Sequence, residues 1–272
     1  MVKSYRFSAE ERDSYARDGY VLRAGAFSAR ECGDIALAVE NLVGDLVAAK
    51  RAEKQVVGSY MFELQSELRS VVKWEPQNPE VVQGVEPFAH ISEQLNRWAH
   101  DPRLVDPSKD VVGDEDIALF TEKITMKRAR TGGSIVLHQD YPYWMRMTEI
   151  ADRIMTALIY LDDATVENGC LEVVPGSHKH GLQSRKKIEG FGSLEMDDAI
   201  YDTNRLIPIE AKTGSIVFFG GFLVHRSLPN RSNADRRALL YSYQPGGHPH
   251  GLELNRLLAE KQKARASAIA ET

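Results

Sequence analysis

The stretch His138-Gln139-Asp140 contains two side chains of types that bind metal ions, with one residue between them. His225 supplies a third much later in the chain. Two imidazoles and one carboxylate form the facial donor set that leaves half of an octahedral iron(II) open to other ligands. A structural metal site usually closes its coordination sphere with thiolates, but Cys32 and Cys170 are far apart and form no CxxC pair. The pattern therefore favours an open metal site, although a lone His-x-Asp also arises by chance.

Further motifs follow the metal pair in order. They are Tyr141-Pro142-Tyr143-Trp144, Asn168 to Lys179, Gly214 to Phe219, His225-Arg226-Ser227 and Arg236-Arg237. Together with His138-Gln139-Asp140 they resemble the phytanoyl-CoA dioxygenase family of iron(II)- and 2-oxoglutarate-dependent oxygenases, over about residues 5 to 245. Several motifs in the right order are more specific than any one of them. The resemblance implies a mainly β fold, a double-stranded β-helix or cupin-like jelly-roll barrel, flanked by early helices.

The resemblance also implies roles for single residues. His138, Asp140 and His225 are expected to bind iron(II) and to be catalytic, with 2-oxoglutarate and O2 as co-substrates. Arg236 lies eleven positions after His225 and matches the arginine that holds the far carboxylate of 2-oxoglutarate. The other expected contacts to the co-substrate are Ser227, Thr125 and Lys123. The implied reaction oxidises a C–H bond of a small molecule, usually by hydroxylation, and releases succinate and CO2.

Arg236 and Arg237 are both candidates to bind the co-substrate. Strand alternation sends the side chains of Arg236 and Arg237 to opposite faces, so only one can enter the barrel. Alternation does not say which one, and the family offset selects Arg236. Arginine suits the role because it carries a permanent charge and a two-pronged donor geometry for carboxylates.

Three aromatic residues directly after the metal pair are candidates for the substrate wall. They are Tyr141, Tyr143 and Trp144. Trp144 matches an aromatic position of the resembled family. Because large aromatic side chains more often lie in the core than in a pocket, a packing role stays open for all three.

Composition excludes several kinds of partner. The chain has 272 residues, 43% hydrophobic and 27% charged, and a formal charge of -5, so no net positive field draws it to nucleic acid or anionic lipid. The short basic runs Lys127–Arg130 and Arg185–Lys187 are interpreted as solvated loop or strand faces. No apolar run is long enough for a membrane span, and two cysteines fit a reducing cytoplasm. A small-molecule substrate and, through the tail, a homo-oligomer remain open.

Local patterns predict the order of the elements. Ser8 and Ser28 each begin a capping box, the first helix is expected to end at Asp18-Gly19, and the second carries an apolar stripe. A third helix is predicted over 88–100, ending before Asp101-Pro102. The predicted strands are 20–23, 61–64, 68–72, 117–126, 134–138, 154–161, 170–174, 205–209, 215–224 and 237–244, with a break at 74–76.

We expect a single domain over 1–272. In it, helices within 8–50 support a barrel over about 115–245. The irregular stretch 181–204 is interpreted as a lid, because long irregular segments in compact domains are often binding loops. The segment 252–272 has the composition of an exposed helical tail. Residues 51–87 match no motif and either line the substrate pocket or pack irregularly.

Two other functions are compatible with parts of this pattern. A metal-dependent cupin-like isomerase or hydrolase would use the same ligands with zinc or manganese and would need no Arg236. A non-catalytic barrel would bind a ligand or partner in the same place. The joint presence of the three metal ligands and Arg236 argues against both. No motif selects the substrate.

Overall fold

The computed structural model describes residues 4–49, 52–57, 59–184, 196 and 202–254. Its strands are β1 (Tyr20–Arg23), β2 (Gln55–Val57), β3 (Tyr60–Gln65), β4 (Ser70–Glu75), β5 (Asn78–Glu86), β6 (Ile117–Lys127), β7 (Ile135–His138), β8 (Met155–Tyr160), β9 (Leu171–Val173), β10 (Ile207–Ile209), β11 (Ile216–Gly220), β12 (His225–Ser227) and β13 (Arg236–Pro245). They form one sheet in the order β1-β11-β8-β13-β6-β5-β4-β3-β2 and another in the order β10-β9-β12-β7, with every pairing antiparallel.

Within the described residues, five α-helical segments accompany the sheets. They are α1 (Ala9–Asp18), α2 (Ala29–Ala48), α3 (Glu93–Asn96), α4 (Pro102–Val112) and α5 (Tyr141–Trp144). Both predicted capping boxes are present, at Ser8 and at Ser28. Gly19 ends α1 in the left-handed conformation, with φ 86°, as the sequence predicts. No helix in the described ranges is long and apolar enough to cross a membrane.

The central strands are buried on both faces, which shows how the layers stack. In β8, Ala157 and Ile159 belong to the core that the helices cover, whereas Leu158 and Tyr160 belong to a second core. That second core also contains Val173 of the smaller sheet. Because neighbouring side chains of a strand point to opposite faces, the larger sheet packs on the helices with one face and on the smaller sheet with the other. The mainly β jelly-roll prediction is confirmed.

Residues 51–87 depart most from the sequence prediction. The predicted break at 74–76 is wrong, since β4 continues through Glu75, and β5 was not predicted at all. The two strands turn at Pro76-Gln77 and extend the larger sheet beyond β6. Proline is tolerated here because it lies in the turn, where no ladder hydrogen bond is required of its nitrogen. This segment therefore forms part of the sheet and is not an irregular packing region.

The helix boundaries around residue 100 also differ. The predicted helix 88–100 is reduced to α3 and a following 3-10 turn, Arg97–His100. Asp101-Pro102 then starts α4, whereas the sequence pattern predicted only the end of a helix there. The Asp101 side chain accepts a hydrogen bond from the Arg103 amide at 2.9 Å. Pro102 sits at the first helical turn, where its missing N–H costs nothing, so the dipeptide marks a helix start.

Two predicted segments lie mostly outside the described residues. Of the lid 181–204, the structure describes 181–184, 196 and 202–204, and of the tail 252–272 only 252–254. Met196 is buried against Leu137 and donates its backbone N–H to the Leu137 carbonyl at 2.9 Å. The predicted strand 215–224 ends earlier, at Gly220, because the chain turns before His225.

Candidate active site

The two histidines of the metal set meet because their strands are neighbours. β12 pairs with β7, and His225 lies directly opposite His138, with ring centroids 4.1 Å apart. Asp140 follows β7 and immediately precedes α5, and its Oδ1 is 3.5 Å from His138 Nε2. One ligand atom from each residue lies within 4.8 Å of the others. The structure thus brings the three predicted ligands together around one point.

Backbone carbonyls orient both imidazoles. The Nδ1 of His138 is 2.7 Å from the carbonyl oxygen of Val136, and the Nδ1 of His225 is 2.9 Å from that of Leu223. A carbonyl oxygen only accepts, so each Nδ1 carries the hydrogen and donates it. Each Nε2 therefore keeps its lone pair for a metal ion, the arrangement that second-sphere hydrogen bonds give to metal-binding histidines.

The charges of the site suit a divalent cation. Burial opposes ionisation of Asp140, but its contact with His138 and the charges of His225 and Lys123 outweigh burial and hold the pKa of the carboxyl at about 2. Burial, helped by the charge of His138, lowers the pKa of His225 to about 4. At neutral pH Asp140 is ionised and His225 is neutral, which are the protonation states that metal binding requires.

Arg236 lies inside the barrel without an anionic partner among the described residues. It is 3% exposed, burial lowers its pKa, and its Nε has no hydrogen-bond partner in the described part of the chain. The hydroxyls of Ser227 and Thr125 are also buried and have none there. A buried guanidinium is costly unless an anion compensates it. The pocket is therefore chemically suited to a carboxylate.

Arg237, the neighbouring arginine, already forms ion pairs with acidic side chains. Arg237 Nε and Nη2 donate to the two carboxylate oxygens of Asp162 at 2.8 and 2.7 Å, and its Nη1 donates to Glu40 at 3.1 Å. The predicted division of Arg236 and Arg237 between opposite faces is confirmed. The structure leaves Arg236 as the arginine that faces the barrel interior.

Lys127 is a second buried cation, contrary to the prediction from its sequence pattern. It is the cross-strand partner of Arg236, and its ammonium donates to the carbonyls of Gly133 and Leu228, the latter at 2.8 Å. Leu228 follows Ser227, so Lys127 ties that strand to β6. The interpretation of 127–130 as a solvated face is wrong for Lys127, which is 1% exposed, and Arg128 forms ion pairs with acidic side chains. Lys127 lies two residues after Thr125 on the same strand, so both side chains point to the same face. This alternation could have indicated from the sequence that Lys127 is buried.

Gln139, between the two ligands of the motif, joins the loops around the site. Its Nε2 donates to the carbonyls of Gly181 and Phe222 at 2.9 and 2.7 Å, and its Oε1 accepts from the Gln183 amide at 2.9 Å. No motif in the sequence indicates a role for Gln139. Its neighbours on either side are metal ligands, and the partners that define its own role lie more than forty positions away in the chain.

The three predicted wall aromatics have different surroundings. Tyr143 lies next to the metal set, its ring 6.0 Å from that of His138, and its hydroxyl is 3.2 Å from the hydroxyl of Tyr60. Tyr141 stacks on Phe222 at 4.2 Å. Trp144 is buried in a small apolar cluster, which favours packing over substrate contact. Tyr143 is thus the one of the three with a described ring contact to a histidine of the metal set, and the substrate-wall role stays a prediction for all three.

A group of charged side chains lies beside Asp140. Glu86 accepts from Lys73 at 2.6 Å and lies 3.7 Å from Lys123. Burial alone would lower the pKa of Lys123, but the charges of Glu86 and Asp140 raise it. Lys73 and Glu86 belong to the segment without motifs, so the sequence offered no way to connect them to the site. The structure thus places part of this segment near Asp140, and its role as a substrate wall stays a prediction.

Comparison with known proteins defines the family. The phytanoyl-CoA dioxygenase (PhyH) sequence profile matches residues 15–238. The chain belongs to this family. The phytanoyl-CoA dioxygenase domain-containing protein 1 of Danio rerio is 32% identical over 158 residues, which cover 56% of this chain and 53% of that protein. The Mus musculus protein of the same name is 26% identical over 265 residues, covering 85% and 88%. The aligned segment thus spans about half of the Danio rerio relative.

Solved structures show the same fold. The crystal structure of EctD from S. alaskensis with 2-oxoglutarate and 5-hydroxyectoine superimposes with a TM-score of 0.69 at 22% identity, covering 90% of this chain and 78% of that one. The non-heme alpha ketoglutarate dependent carbocyclase SnoK from nogalamycin biosynthesis gives a TM-score of 0.63 at 18% identity, covering 89% and 86%. This PhyH-family chain therefore has the cupin-like double-stranded β-helix.

Proposed function

We propose that this PhyH-family protein is an iron(II)- and 2-oxoglutarate-dependent oxygenase that oxidises an unactivated C–H bond of a small molecule, in the first place by hydroxylation. The observation that carries the proposal is the pairing of two separate features in one barrel. One is the metal set of His138, Asp140 and His225. The other is Arg236, a buried cation without a described anionic partner.

The donor set fits iron(II). Two imidazoles and one carboxylate would hold one face of the ion and would leave room for other ligands. Both imidazoles are fixed with Nε2 towards the site by hydrogen bonds to carbonyls. The open face matters because the metal held by His138, Asp140 and His225 would have to accept 2-oxoglutarate and O2, which together would supply the oxidising chemistry. A closed structural site would have no room for either.

The interior next to Arg236 fits the far carboxylate of 2-oxoglutarate. Arg236 supplies the compensating charge, and the buried hydroxyls of Ser227 and Thr125 supply donors that have no described partner. Arg236 and Thr125 lie on neighbouring strands, since Thr125 pairs with Ala238. A dianionic keto acid would thus satisfy the polar atoms that are otherwise costly to bury.

The protein's own contribution is binding, orientation and exclusion of water. When bound, iron(II) and 2-oxoglutarate supply the oxidising chemistry with O2 and release succinate and CO2. Arg236 would fix the co-substrate so that its keto end reaches the metal set. The half-buried Tyr143 beside His138 would form the wall against which a substrate C–H bond is placed.

The rival functions predict other ligands. A cupin-like isomerase or hydrolase would bind zinc or manganese and would make no use of Arg236. A non-catalytic barrel would bind ligand without consuming it. An isomerase or hydrolase gives no role to a buried arginine whose Nε has no hydrogen-bond partner among the described residues, and a non-catalytic barrel gives no role to an open metal site.

Anaerobic titration of metal-free protein with iron(II) and 2-oxoglutarate tests the proposal. We expect the weak visible charge-transfer band of an iron(II)–keto acid chelate, followed by substrate-stimulated succinate release across a panel of metabolites. Arg236→Ala should lose the band at the same co-substrate concentration, and Arg237→Ala should keep it. Tight zinc binding with hydrolytic activity and no band would support the hydrolase alternative instead.

A further inference from the structure

We propose that Lys73, Glu86 and Lys123 form the substrate-binding site, and that the substrate is a small monocarboxylic acid whose carboxylate is bound by the two lysines. The inference rests on the proposed function, because it names the substrate class for the same active site. It uses side chains that neither the family match nor the metal set assigns to a substrate.

The three side chains converge from neighbouring strands. β4, β5 and β6 lie side by side, and Lys73 pairs with Gly84, which in turn pairs with Thr125. Because side chains two residues apart share a face, Glu86 and Lys123 point to the same side of the sheet as Lys73. The Glu86 carboxylate lies 2.6 Å from one ammonium and 3.7 Å from the other. One carboxylate thus holds two lysines in place.

Lys73, Glu86 and Lys123 carry one excess positive charge when the nearby Asp140 is counted with the metal that it would bind. Two ammonium groups face a single carboxylate, and burial together with the nearby charge of Lys123 lowers the pKa of Lys73 to about 8, against the pull of Glu86. The three side chains keep 19%, 33% and 31% of their surface exposed for Lys73, Glu86 and Lys123. They are therefore accessible to a ligand, and a bound anion would compensate the excess charge.

The position of Lys123 separates it from the co-substrate pocket. Arg236 pairs with Lys127, and Lys123 lies four residues further along β6, or about 13 Å at ~3.3 Å per residue. A co-substrate whose far carboxylate binds Arg236 has its other end on the metal. Lys123 instead lies near Asp140 and shares Glu86 with Lys73. We therefore reassign Lys123 from the co-substrate, its role in the sequence prediction, to the substrate.

The charge count selects a singly charged acid. One excess positive charge matches one carboxylate, whereas a phosphate dianion or the several phosphate charges of a coenzyme A thioester would remain uncompensated. Tyr60 and Tyr143, whose hydroxyls are 3.2 Å apart, add polar donors on the metal side of the group. The group also lies close to Asp140, so the oxidised carbon is expected to be near the carboxylate.

The test measures binding without turnover. Protein loaded with zinc and saturating 2-oxoglutarate is probed by ligand-observed NMR with short monocarboxylic acids, their primary amides, inorganic phosphate and butyryl-coenzyme A. We expect a subset of the acids to bind and the matched amides, phosphate and thioester not to bind. Lys73→Met and Lys123→Met should each weaken acid binding about 10- to 100-fold, the usual effect of losing a charged hydrogen-bond partner.

Control variants distinguish the loss of a positive charge from a folding defect. Binding of 2-oxoglutarate distinguishes failure of the substrate site from failure of the proposed function. Lys73→Arg and Lys123→Arg keep the charge and should retain most of the binding, and Lys212→Met removes an exposed lysine and should change nothing. Binding of 2-oxoglutarate should be equal in wild type and Lys73→Met. Equal binding of acids and amides, or loss of 2-oxoglutarate and not acid binding in Lys123→Met, would overturn the substrate site. Failure of the wild type to bind 2-oxoglutarate would overturn the proposed function instead.

Discussion

Lys127 and Arg236 are cross-strand partners on β6 and β13, and both are almost completely buried. The two cations differ in their hydrogen-bond partners. Lys127 donates to two backbone carbonyls, whereas Arg236 has a buried Nε without a described acceptor. Because the hydrogen bonds of the Lys127 side chain are already made to backbone carbonyls, we interpret Lys127 as a structural residue that connects β6 to the neighbouring chain segments. Arg236 is the cation left to bind an incoming anion.

Replacing Arg236 by alanine should weaken binding of 2-oxoglutarate far more than replacing Arg237. Removing a desolvated charge partner costs ~2–5 kcal/mol, roughly thirty- to several-thousand-fold in affinity. Arg237 is the matched control because its guanidinium is already paired with Asp162 and Glu40. Isothermal titration of the zinc-loaded protein measures both constants. Equal losses would leave the assignment unsupported, and a larger loss for Arg237→Ala would reverse it.

Lys127 should make the folded protein more stable as the pH rises from 7 to 9. Burial, together with the charge of Arg236, lowers the pKa of Lys127 to about 7, while an unfolded lysine titrates at ~10.4. Between these values the unfolded chain binds a proton that the folded protein does not. The free energy of unfolding contributed by this group therefore rises with pH, by at most about 1.4 kcal/mol per pH unit.

The measurement is urea denaturation of metal-free protein at several pH values in this window. Lys127→Met removes the titrating group and should show a smaller rise of the unfolding free energy than the wild type. Lys212→Met removes an exposed lysine paired with Asp163 and should keep the wild-type rise. Parallel curves for wild type and Lys127→Met would show that Lys127 stays protonated in the folded protein.

Gln139→Ala should lower both stability and iron affinity. The variant loses hydrogen bonds to Gly181, Phe222 and Gln183 from a side chain that is 1% exposed. Unsatisfied buried groups cost about 1–3 kcal/mol, and a displaced supporting group around a metal typically weakens binding about 10- to 100-fold. Urea denaturation and iron(II) titration give the two values.

Gln183→Ala is the matched control for that experiment. The Gln183 backbone amide donates to Gln139, and this bond survives the loss of the Gln183 side chain. We expect near wild-type iron affinity in Gln183→Ala. If Gln139→Ala also bound iron normally, its bonds would serve loop stability alone.

The sequence predicted the site better than the periphery. The metal residues were predictable because the required side chains are rare and their order is specific. Strand alternation assigned Arg236 and Arg237 to opposite faces, and the family offset from His225 selected Arg236. Gln139 and Lys127 were missed because their roles depend on partners distant in the chain.

The segment 51–87 shows a second limit of prediction from the sequence, namely that pairing between strands is needed to bring its residues to the site. No motif marks its strands, and its charged residues Lys73 and Glu86 belong to no recognisable pattern in the sequence. Only the pairing of β4 with β5 and of β5 with β6 brings them to Lys123. Likewise, Asp101-Pro102 is compatible with a helix end or start, and packing of the following α4 residue Leu104 into the core decides for a start.

The last prediction concerns the reaction outcome, which depends on Asp140. Three protein donors and a bidentate keto acid leave a single position on an octahedral metal, and O2 needs it. A halide could bind only if the protein gave up an anionic ligand. Asp140 lies among the metal residues, and its carboxyl is held ionised with a pKa of about 2 despite burial, by His138, His225 and Lys123. We therefore expect a hydroxylated, or alternatively desaturated or cyclised, product and no halogenated one.

The experiment runs the wild type with its substrate in saturating chloride or bromide and analyses the products by mass spectrometry. Asp140→Gly should abolish turnover, because loss of the anionic ligand weakens iron binding and leaves any remaining metal poorly oriented. Asp140→Glu keeps the charge with a longer side chain and should retain iron binding better than Asp140→Gly. Substantial halogenation by the wild type would mean that Asp140 leaves the metal during turnover. In that case the facial set of His138, Asp140 and His225 would not be the reacting geometry.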